Sequence, residues 1–235
     1  MIPHGVDPVM FRPRPPDAGY RVRLGAPGRQ PLVLFVGRLT WEKGVLTLVH
    51  AIRLLLDDPL MQNRDVRFAL VGRGSEKRRL ERLIDRLGLR RQVRLVSGVA
   101  FQEMPDLLSA ADLFVLPSIA SRRVSEQFGH VLLQSMACGR PVVCTDCGPM
   151  LEVVGDAAIT VPQNDAHSLA EALRRVLLDD SLRRELVTRG HERIRQRFTA
   201  EQVGGQLRQL YREVLGMAAP GAAPTLERRL PQPAG

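Results

Sequence analysis

The chain has 235 residues, and 34 Lys and Arg against 25 Asp and Glu give it a net charge of +9. Hydrophobic residues make up 44% of the chain and charged residues 25%, which suits one well-buried α/β domain and excludes a largely disordered chain. We see no apolar run near the ~18–20 residues of a membrane span, no signal sequence and too few cysteines for a disulfide scaffold, so we expect a cytoplasmic protein, free or peripheral at the inner membrane face.

The positive charge is almost entirely arginine. Only Lys43 and Lys77 are lysines, and only Asn63 and Asn164 are asparagines, a shortage that indicates genome-wide compositional bias. Aromatic residues are 4% of the chain, so platforms for base stacking are scarce. We therefore interpret the charge as a solvated surface and expect no nucleic-acid partner.

The chain begins with an irregular segment rich in Pro, Gly and Arg, residues 1–30, which we predict to be a lead-in or interdomain linker. Short apolar runs follow from residue 31 onward. Because they are apolar on both faces, they predict strands of a parallel sheet that is covered on two sides. The predicted strands lie at 32–37, 67–72, 93–96, 113–116, 141–144 and 158–161.

Apolar residues at helical spacing lie between and after these runs, and Gly88 is a plausible stop for one helix. The predicted helices lie at 43–57, 75–87, 102–110, 129–138, 165–179, 181–197 and 199–215. Alternation of strands and helices predicts an α/β fold, a doubly wound Rossmann-like parallel sheet followed by C-terminal helices. The domain would span 31–198, with a last helix at 199–216 and a disordered tail at 217–235.

The loop that follows the first predicted strand carries two cations. Gly37 allows a sharp turn, and Arg38 and Lys43 precede the start of a helix. Two cations beside free backbone N–H groups form a site suited to phosphate. The alternative is a solvated loop with surface charges.

The loop after the second predicted strand contains Gly72 and Gly74. A Gly-x-Gly turn hints at a dinucleotide site, but Lys77 stands where the third glycine would be. A tight turn with Ser75 as a helix N-cap explains the pattern equally well.

The loop and helix after the fourth predicted strand are the most informative part of the chain. Glu126 precedes a helix that opens around Gly129, and this N-terminus predicts a second anion site at the same sheet edge. Gln134 follows two turns later. Downstream, Cys144 and Cys147 have redox-motif spacing, but a single such pair is weak evidence for a metal, and we expect buried thiols.

These segments resemble the C-terminal donor-binding domain of retaining GT-B glycosyltransferases, the group 1 type that includes sucrose-synthase-like and mannosyltransferase-like enzymes. The similarity covers about residues 1–215. It rests on motifs that agree in order, at 2–13, 36–44, 71–74, 98–99, 126–129, 135–143 and 152–155.

The resemblance implies transfer of a hexosyl group, with retention, from a UDP- or GDP-sugar to a sugar, lipid or small-molecule acceptor. No metal or other cofactor is implied, so cations and helix dipoles would neutralise the departing diphosphate. The implied catalytic residues are Arg38, Lys43 and Glu126. The implied substrate-binding residues are Gly37, Gly72, Val99, Phe128, Gly129, His130, Val131 and Gln134.

Two departures from the family pattern leave alternatives open. Gln134 stands where the family has a glutamate on the ribose hydroxyls, and the N-terminal acceptor domain of the family is absent. A partner chain would then supply that domain, or the chain would be a non-catalytic nucleotide-sugar-binding subunit, or less readily an epimerase or phosphorylase. We expect an apolar stripe to lie partly uncovered, against the alternative that 199–215 packs wholly on its own domain. The stripe comprises Val203, Leu207, Leu210 and Val214, together with Ile2, Val6 and Phe11.

Overall fold

The computed structural model describes residues 4–120 and 129–215 and contains a single six-stranded sheet in that part of the chain. The strands are β1 (Leu32–Val36), β2 (Arg67–Val71), β3 (Val93–Val96), β4 (Leu113–Leu116), β5 (Val142–Thr145) and β6 (Ile159–Val161). All pairings are parallel, and the strand order is β3-β2-β1-β4-β5-β6. The predicted doubly wound sheet is confirmed.

Helices cover both faces of the sheet, and two of them, α1 and α6, were missed by the sequence analysis. The helices are α1 (Ala18–Arg23), α2 (Val45–Asp57), α3 (Lys77–Arg86), α4 (Met104–Ser109), α5 (His130–Ala137), α6 (Met150–Val154), α7 (Ala166–Leu178), α8 (Asp180–Arg193) and α9 (Ala200–Val214). A 3₁₀ turn at Trp41–Lys43 leads into α2, and a π turn at Ile194–Phe198 joins α8 to α9. In the described ranges no helix is both long and apolar enough to cross a membrane.

The core follows the predicted periodicity. Leu48, Ile52 and Leu55 of α2 are buried at helical spacing, and every residue of β4 is buried. The three cysteines are buried as expected. Burial raises the pKa of the Cys144 thiol to about 12, so this thiol is inert at neutral pH.

The two ends of α3 test two expectations. Gly88 adopts a φ of +67° just beyond the helix and ends it, as predicted. The expected N-cap at Ser75 is wrong, because Glu76 precedes the helix and no side chain caps it. The backbone N–H of Glu76 instead donates to the carbonyl of Leu39 at 2.9 Å, which fixes the turn from outside the helix.

The lead-in segment packs on this domain and contains the short helix α1, so it is less irregular than predicted. The N–H of Val6 donates to the carbonyl of Phe198 at 2.7 Å, and Val6 forms a parallel bridge with Thr199. Val6 and Phe11 are each only 2% exposed, so the expectation that they lie uncovered is wrong. The physical reason is that Val6 lies against the end of the π turn, while the ring of Phe11 meets the ring of Phe101 edge to face, with centroids 5.7 Å apart. Ile2 lies outside the described residues.

Helix α9 has no buried residue, and its apolar residues face solvent. Leu207, Leu210 and Val214 are 40%, 42% and 74% exposed, and Val203 is half-buried. The uncovered stripe on this helix is confirmed, and the alternative that it packs wholly on its own domain is wrong. The expected disordered tail, 217–235, lies outside the described residues.

Candidate functional site

The central feature of the sheet is the switch point between β1 and β4, where the winding direction reverses. Doubly wound sheets bind ligands in the crevice beyond the carboxyl ends of the strands at this point. The loop after β1 carries Arg38 and Lys43, and the segment after β4 leads to α5. The topology therefore brings the first and third predicted loops to one edge.

The loops after β1 and β4 are locked together by close backbone contacts. Gly44 has a φ of +64°, and a Cβ at this position would lie 1.8 Å from the carbonyl oxygen of Pro117. The N–H of Ile119 donates to the carbonyl of Glu42 at 2.7 Å. Only glycine allows this approach, which fixes the spacing of the two loops.

The loop after β2 is tied to the loop after β1 in the same way. A Cβ on Gly72 would lie 1.8 Å from the carbonyl oxygen of Gly37. The N–H of Leu39 donates to the carbonyl of Arg73 at 2.8 Å. The Gly-x-Gly turn thus serves close packing of two loops, and the edge of the sheet is rigid on both sides of β1.

Charge at this edge is organised around Glu42, which the sequence analysis did not single out. Arg38 Nη2 lies 3.2 Å from Glu42 Oε1. Burial of the Glu42 carboxyl raises its pKa, but polar contacts with Thr40 and its own backbone and the charges of Arg38 and Lys43 outweigh burial and lower the pKa overall. Glu42 is therefore ionised at neutral pH. An acidic residue four positions after Arg38 was the signal in the sequence.

Arg38 remains accessible despite its ion pair, because 68% of its side chain is exposed. The guanidinium is the exposed partner of the pair, since only 12% of the Glu42 side chain is exposed, so an incoming anion can reach it. Lys43 is half-buried at the end of the 3₁₀ turn that leads into α2. The two cations flank a turn whose backbone is fixed.

The N-terminus of α5 opens at Gly129, which has a φ of +67°. The left-handed backbone favours glycine, and a Cβ here would lie 2.8 Å from Leu132 Cδ1, so this side chain would have to shift. The first hydrogen bond of the helix runs from the N–H of Leu132 to the carbonyl of Gly129. The N–H groups of His130 and Val131 precede it and donate to no carbonyl among the described residues, and N–H groups in this position suit an anion.

Behind this N-terminus, Gln134 is buried and contacts His130. Its Nε2 lies 3.3 Å from His130 Nδ1, while His130 Nε2 lies 3.0 Å from the carbonyl oxygen of Gly5. The rings of His130 and His4 meet edge to face, with centroids 6.1 Å apart. The lead-in segment thus reaches the candidate site through His130.

Two further residues support the segment after β4, and the sequence analysis missed both. The N–H of Ala120 donates to Gln163 Oε1 at 2.7 Å. The backbone N–H of Gln163 in turn donates to Asp146 Oδ1 at 3.2 Å. Their positions just after β6 and β5 were the only available signal, since residues after parallel strands meet at this edge.

The predicted site residues fall into three groups: those at the switch-point edge, Val99 beside it, and two residues outside the described ranges. The first group comes from the loops after β1 and β2 and from α5 with the residue before it. Val99 follows β3, two strands from β1, so it lies about 10 Å to the side, where a longer ligand would extend. Glu126 and Phe128 lie outside the described residues. The residues of the first group, at the switch-point edge, are Gly37, Arg38, Lys43, Gly72, Gly129, His130, Val131 and Gln134.

Comparison with known proteins identifies the family of this chain. The family model for glycosyl transferases group 1 matches residues 18–193. The alpha-D-kanosaminyltransferase of Streptomyces kanamyceticus is 32% identical over 199 residues, which is 84% of this chain and 49% of that protein. The chain thus spans about half the length of the curated relatives it matches.

Solved structures match over nearly the whole chain. Sucrose-phosphate synthase from Thermosynechococcus elongatus has a TM-score of 0.76 and 32% identity, covering 92% of this chain and 53% of that one. HepE from Anabaena, crystallised with UDP and with UDP-glucose, has TM-scores of 0.77 and 0.74 and identities of 26% and 25%, covering 89% of this chain and 56% of each. Fold and sequence agree, and the chain belongs to the group 1 glycosyltransferases, with the fold of one half of a GT-B enzyme.

Proposed function

We propose that this chain is the donor-binding half of a retaining glycosyltransferase that uses a UDP- or GDP-sugar. The observation that carries the proposal is the convergence of Arg38, Lys43 and the α5 N-terminus on the switch point of the sheet. Cations and free N–H groups around a rigid, glycine-lined turn suit a diphosphate. The UDP and UDP-glucose complexes of HepE support a nucleotide-sugar ligand.

In this proposal the donor diphosphate lies across the loop after β1. Arg38 and Lys43 neutralise the charge that develops on the phosphate as the sugar–phosphate bond breaks, without a metal ion. The bond from C1 of the sugar to the acceptor oxygen forms on the same face. The hydroxyl proton passes to the departing phosphate, so no protein nucleophile is required.

The remaining ligand contacts follow from the same pose. Glu126 accepts hydrogen bonds from sugar hydroxyls, and Gln134 bonds the ribose. The base extends toward Val99, on the far side of β2. His130 and Val131 contribute backbone N–H groups to the diphosphate.

Transfer also requires an acceptor held within ~3–3.5 Å of the donor carbon. The exposed apolar side of α9 is the surface on which we propose that an acceptor domain packs, either elsewhere in a longer protein or in a partner chain. Leu207 and Leu210 supply the centre of this contact.

A second candidate is a non-catalytic nucleotide-sugar-binding subunit. Gln134 favours it, because its amide contacts His130 and lacks the charge of a carboxylate toward ribose hydroxyls. Turnover separates the two: a transferase half consumes UDP-sugar faster than background once an acceptor domain is supplied, and a binding subunit never does.

The identity of the nucleotide can be tested with the chain's single tryptophan, Trp41, which lies between Arg38 and Lys43 and is 47% exposed. Titration with UDP, GDP and their sugars should change its emission saturably for one of the two bases. CMP-sugars and inorganic phosphate provide the controls. An emission that none of the nucleotide diphosphates alters at millimolar concentration contradicts the proposed site.

A further inference from the structure

The positive charge of the chain is concentrated in the segment that begins in the loop after β2 and ends in β3. The segment 73–94, which comprises α3, β3 and their flanking turns, has nine cations and three carboxylates. Its net charge of +6 is two thirds of the chain's +9, in fewer than a tenth of its residues. We call the exposed surface of residues 73–94 the basic face. Its cations are Arg73, Lys77, Arg78, Arg79, Arg82, Arg86, Arg90, Arg91 and Arg94.

Ion pairing accounts for only part of these charges. Each carboxylate of the segment already has a partner: Glu76 with Arg79, Glu81 with Lys77, and Asp85 with Arg90. A row of three arginines on α3 has no carboxylate within ion-pair distance in the described part of the chain. These are Arg78, Arg82 and Arg86.

The row is not needed for folding. Arg78, Arg82 and Arg86 follow one another at i, i+4 spacing, where like charges repel and destabilise a helix. The opposite side of α3 provides the packing, through the buried residues Leu80 and Ile84. Three arginines without an ion pair on one helix face therefore repel one another, and the one hydrogen bond recorded for them in the described chain is long, from Arg82 Nε to the Arg78 carbonyl at 3.4 Å.

The shape of the basic face is broad and grooved. A groove of about 950 Å³ runs between α3 and the edge strand β3, and Arg78, Arg82 and Arg94 line it. A second groove of about 380 Å³ runs between α2 and α3, where Arg79, Arg82 and Arg86 surround the half-buried Leu46 and Leu83. Arg82 lines both grooves. The face thus offers several separate positions for anionic groups.

We propose that the basic face docks on the surface of an anionic phospholipid bilayer. Each lysine or arginine near such a surface adds to the attraction. Because the attraction depends on the net charge of the face, the three paired carboxylates weaken it without abolishing it. No aromatic residue occurs between 73 and 94, so single-stranded nucleic acid finds no stacking platform. Leu80 and Ile84 of α3 are buried and Leu83 is half-buried in a groove, so no apolar side chain of this helix is fully exposed for insertion and docking is electrostatic.

The test uses the whole chain and sedimenting vesicles of phosphatidylcholine, with or without phosphatidylglycerol, at about 0.1 M salt. The basic-face variant is Arg78→Gln, Arg82→Gln and Arg86→Gln. The matched control is Arg175→Gln, Arg184→Gln and Arg208→Gln, which removes the same charge from exposed positions on other helices. Thermal unfolding of both variants checks that they fold.

We expect binding to vesicles with phosphatidylglycerol only, a loss on the order of a hundredfold in partition coefficient for the basic-face variant, and a much smaller loss for the control. Binding should also disappear near 1 M salt, where the screening length falls to about 3 Å. Equal binding to phosphatidylcholine alone, or equal losses for both variants, would overturn the proposal. Tighter binding to duplex DNA at the same salt, with the same dependence on the three arginines, would assign the face to nucleic acid instead.

Discussion

The amide Nε2 of Gln134 lies 3.3 Å from Nδ1 of His130, and the other ring nitrogen of His130 lies 3.0 Å from the carbonyl oxygen of Gly5. Because a carbonyl only accepts, Nε2 of the ring donates to Gly5, and Nδ1 of the neutral ring accepts from the Gln134 amide. A glutamate at 134 could not donate to Nδ1. A substitution at position 134 would therefore change both the hydrogen bond to His130 and any hydrogen bond to a ribose hydroxyl.

We expect Gln134→Glu to tighten UDP binding by about 1 kcal/mol, because a carboxylate accepts a charge-assisted hydrogen bond from a ribose hydroxyl. The gain should be smaller for 2′-deoxy-UDP. Calorimetry with both nucleotides measures it. Equal affinity of wild type and variant for both ligands would mean that position 134 supports His130 and does not touch the ribose.

Two glycines with nearly the same backbone conformation give a matched test of the contact between Gly44 and Pro117, which holds the loops after β1 and β4 together. We call this contact the loop clamp. Gly44→Ala places a Cβ 1.8 Å from the Pro117 carbonyl oxygen at a φ of +64°, whereas Gly88→Ala at +67° meets nothing within 4 Å. We expect Gly88→Ala to lower the free energy of unfolding by about 1–2 kcal/mol, the ordinary cost of a left-handed residue. Gly44→Ala should cost clearly more and also weaken UDP binding.

Urea unfolding of both glycine variants, with UDP titration of each, measures these effects. The clamp is absent if the two variants lose the same stability. A Gly44→Ala variant that binds UDP as tightly as wild type would show that the spacing of the two loops does not matter for the ligand.

The exposed side of α9 should make the chain self-associate in solution, because no described part of the chain covers it. The variant Leu207→Gln, Leu210→Gln, Val214→Gln should sediment as a monomer at concentrations where wild type associates. Since α9 contributes no buried residue, the unfolding midpoint of the rest of the domain should change little. Wild type that remains monomeric at high concentration contradicts this prediction.

His191 on α8 should make stability depend on pH. Burial lowers its pKa below 6.5, and the nearby charge of Arg140 adds to the effect against a backbone hydrogen bond at Ala137. The unfolded chain therefore binds a proton more readily than the folded one. The stabilising contribution is complete above the unfolded pKa of about 6.5 and is lost as pH falls toward the folded value.

The free energy of unfolding, measured by urea denaturation between about pH 7 and pH 5, should thus fall less steeply in His191→Gln than in wild type. His50→Gln, at an exposed position on α2, serves as the control and should keep the wild-type slope. A wild-type slope in His191→Gln would mean that the burial of this ring does not govern the pH dependence.

The sheet could be predicted from the sequence because its inner strands are apolar runs buried on both faces, as in Leu113–Leu116, while the edge strands β3 and β6 are partly exposed. Helix α6 was missed because five residues are too few for a helical period to be visible. The packing of Val6 and Phe11 was missed because it depends on partners distant in sequence, Phe198 and Thr199 for Val6 and Phe101 for Phe11.

The candidate site was predictable in part for the same reason. Arg38 and Lys43 follow a strand, and parallel strands end at one edge, so their position follows from topology. The contact between Gln134 and His130 and the ion pair of Arg38 with Glu42 depend on side-chain orientation, which spacing alone does not define.

The most direct test of the donor-binding assignment is calorimetric titration of the chain with UDP, GDP and their sugars in EDTA. We expect saturable binding of one nucleotide without metal. Arg38→Gln and Lys43→Gln should each weaken it by about 1.5–3 kcal/mol, the range for a hydrogen bond to a charged group. Arg184→Gln on α8, an exposed arginine away from the loop after β1, should leave the affinity unchanged. No heat of binding at millimolar ligand, or equal affinity in all three variants, would contradict a donor site at the switch point.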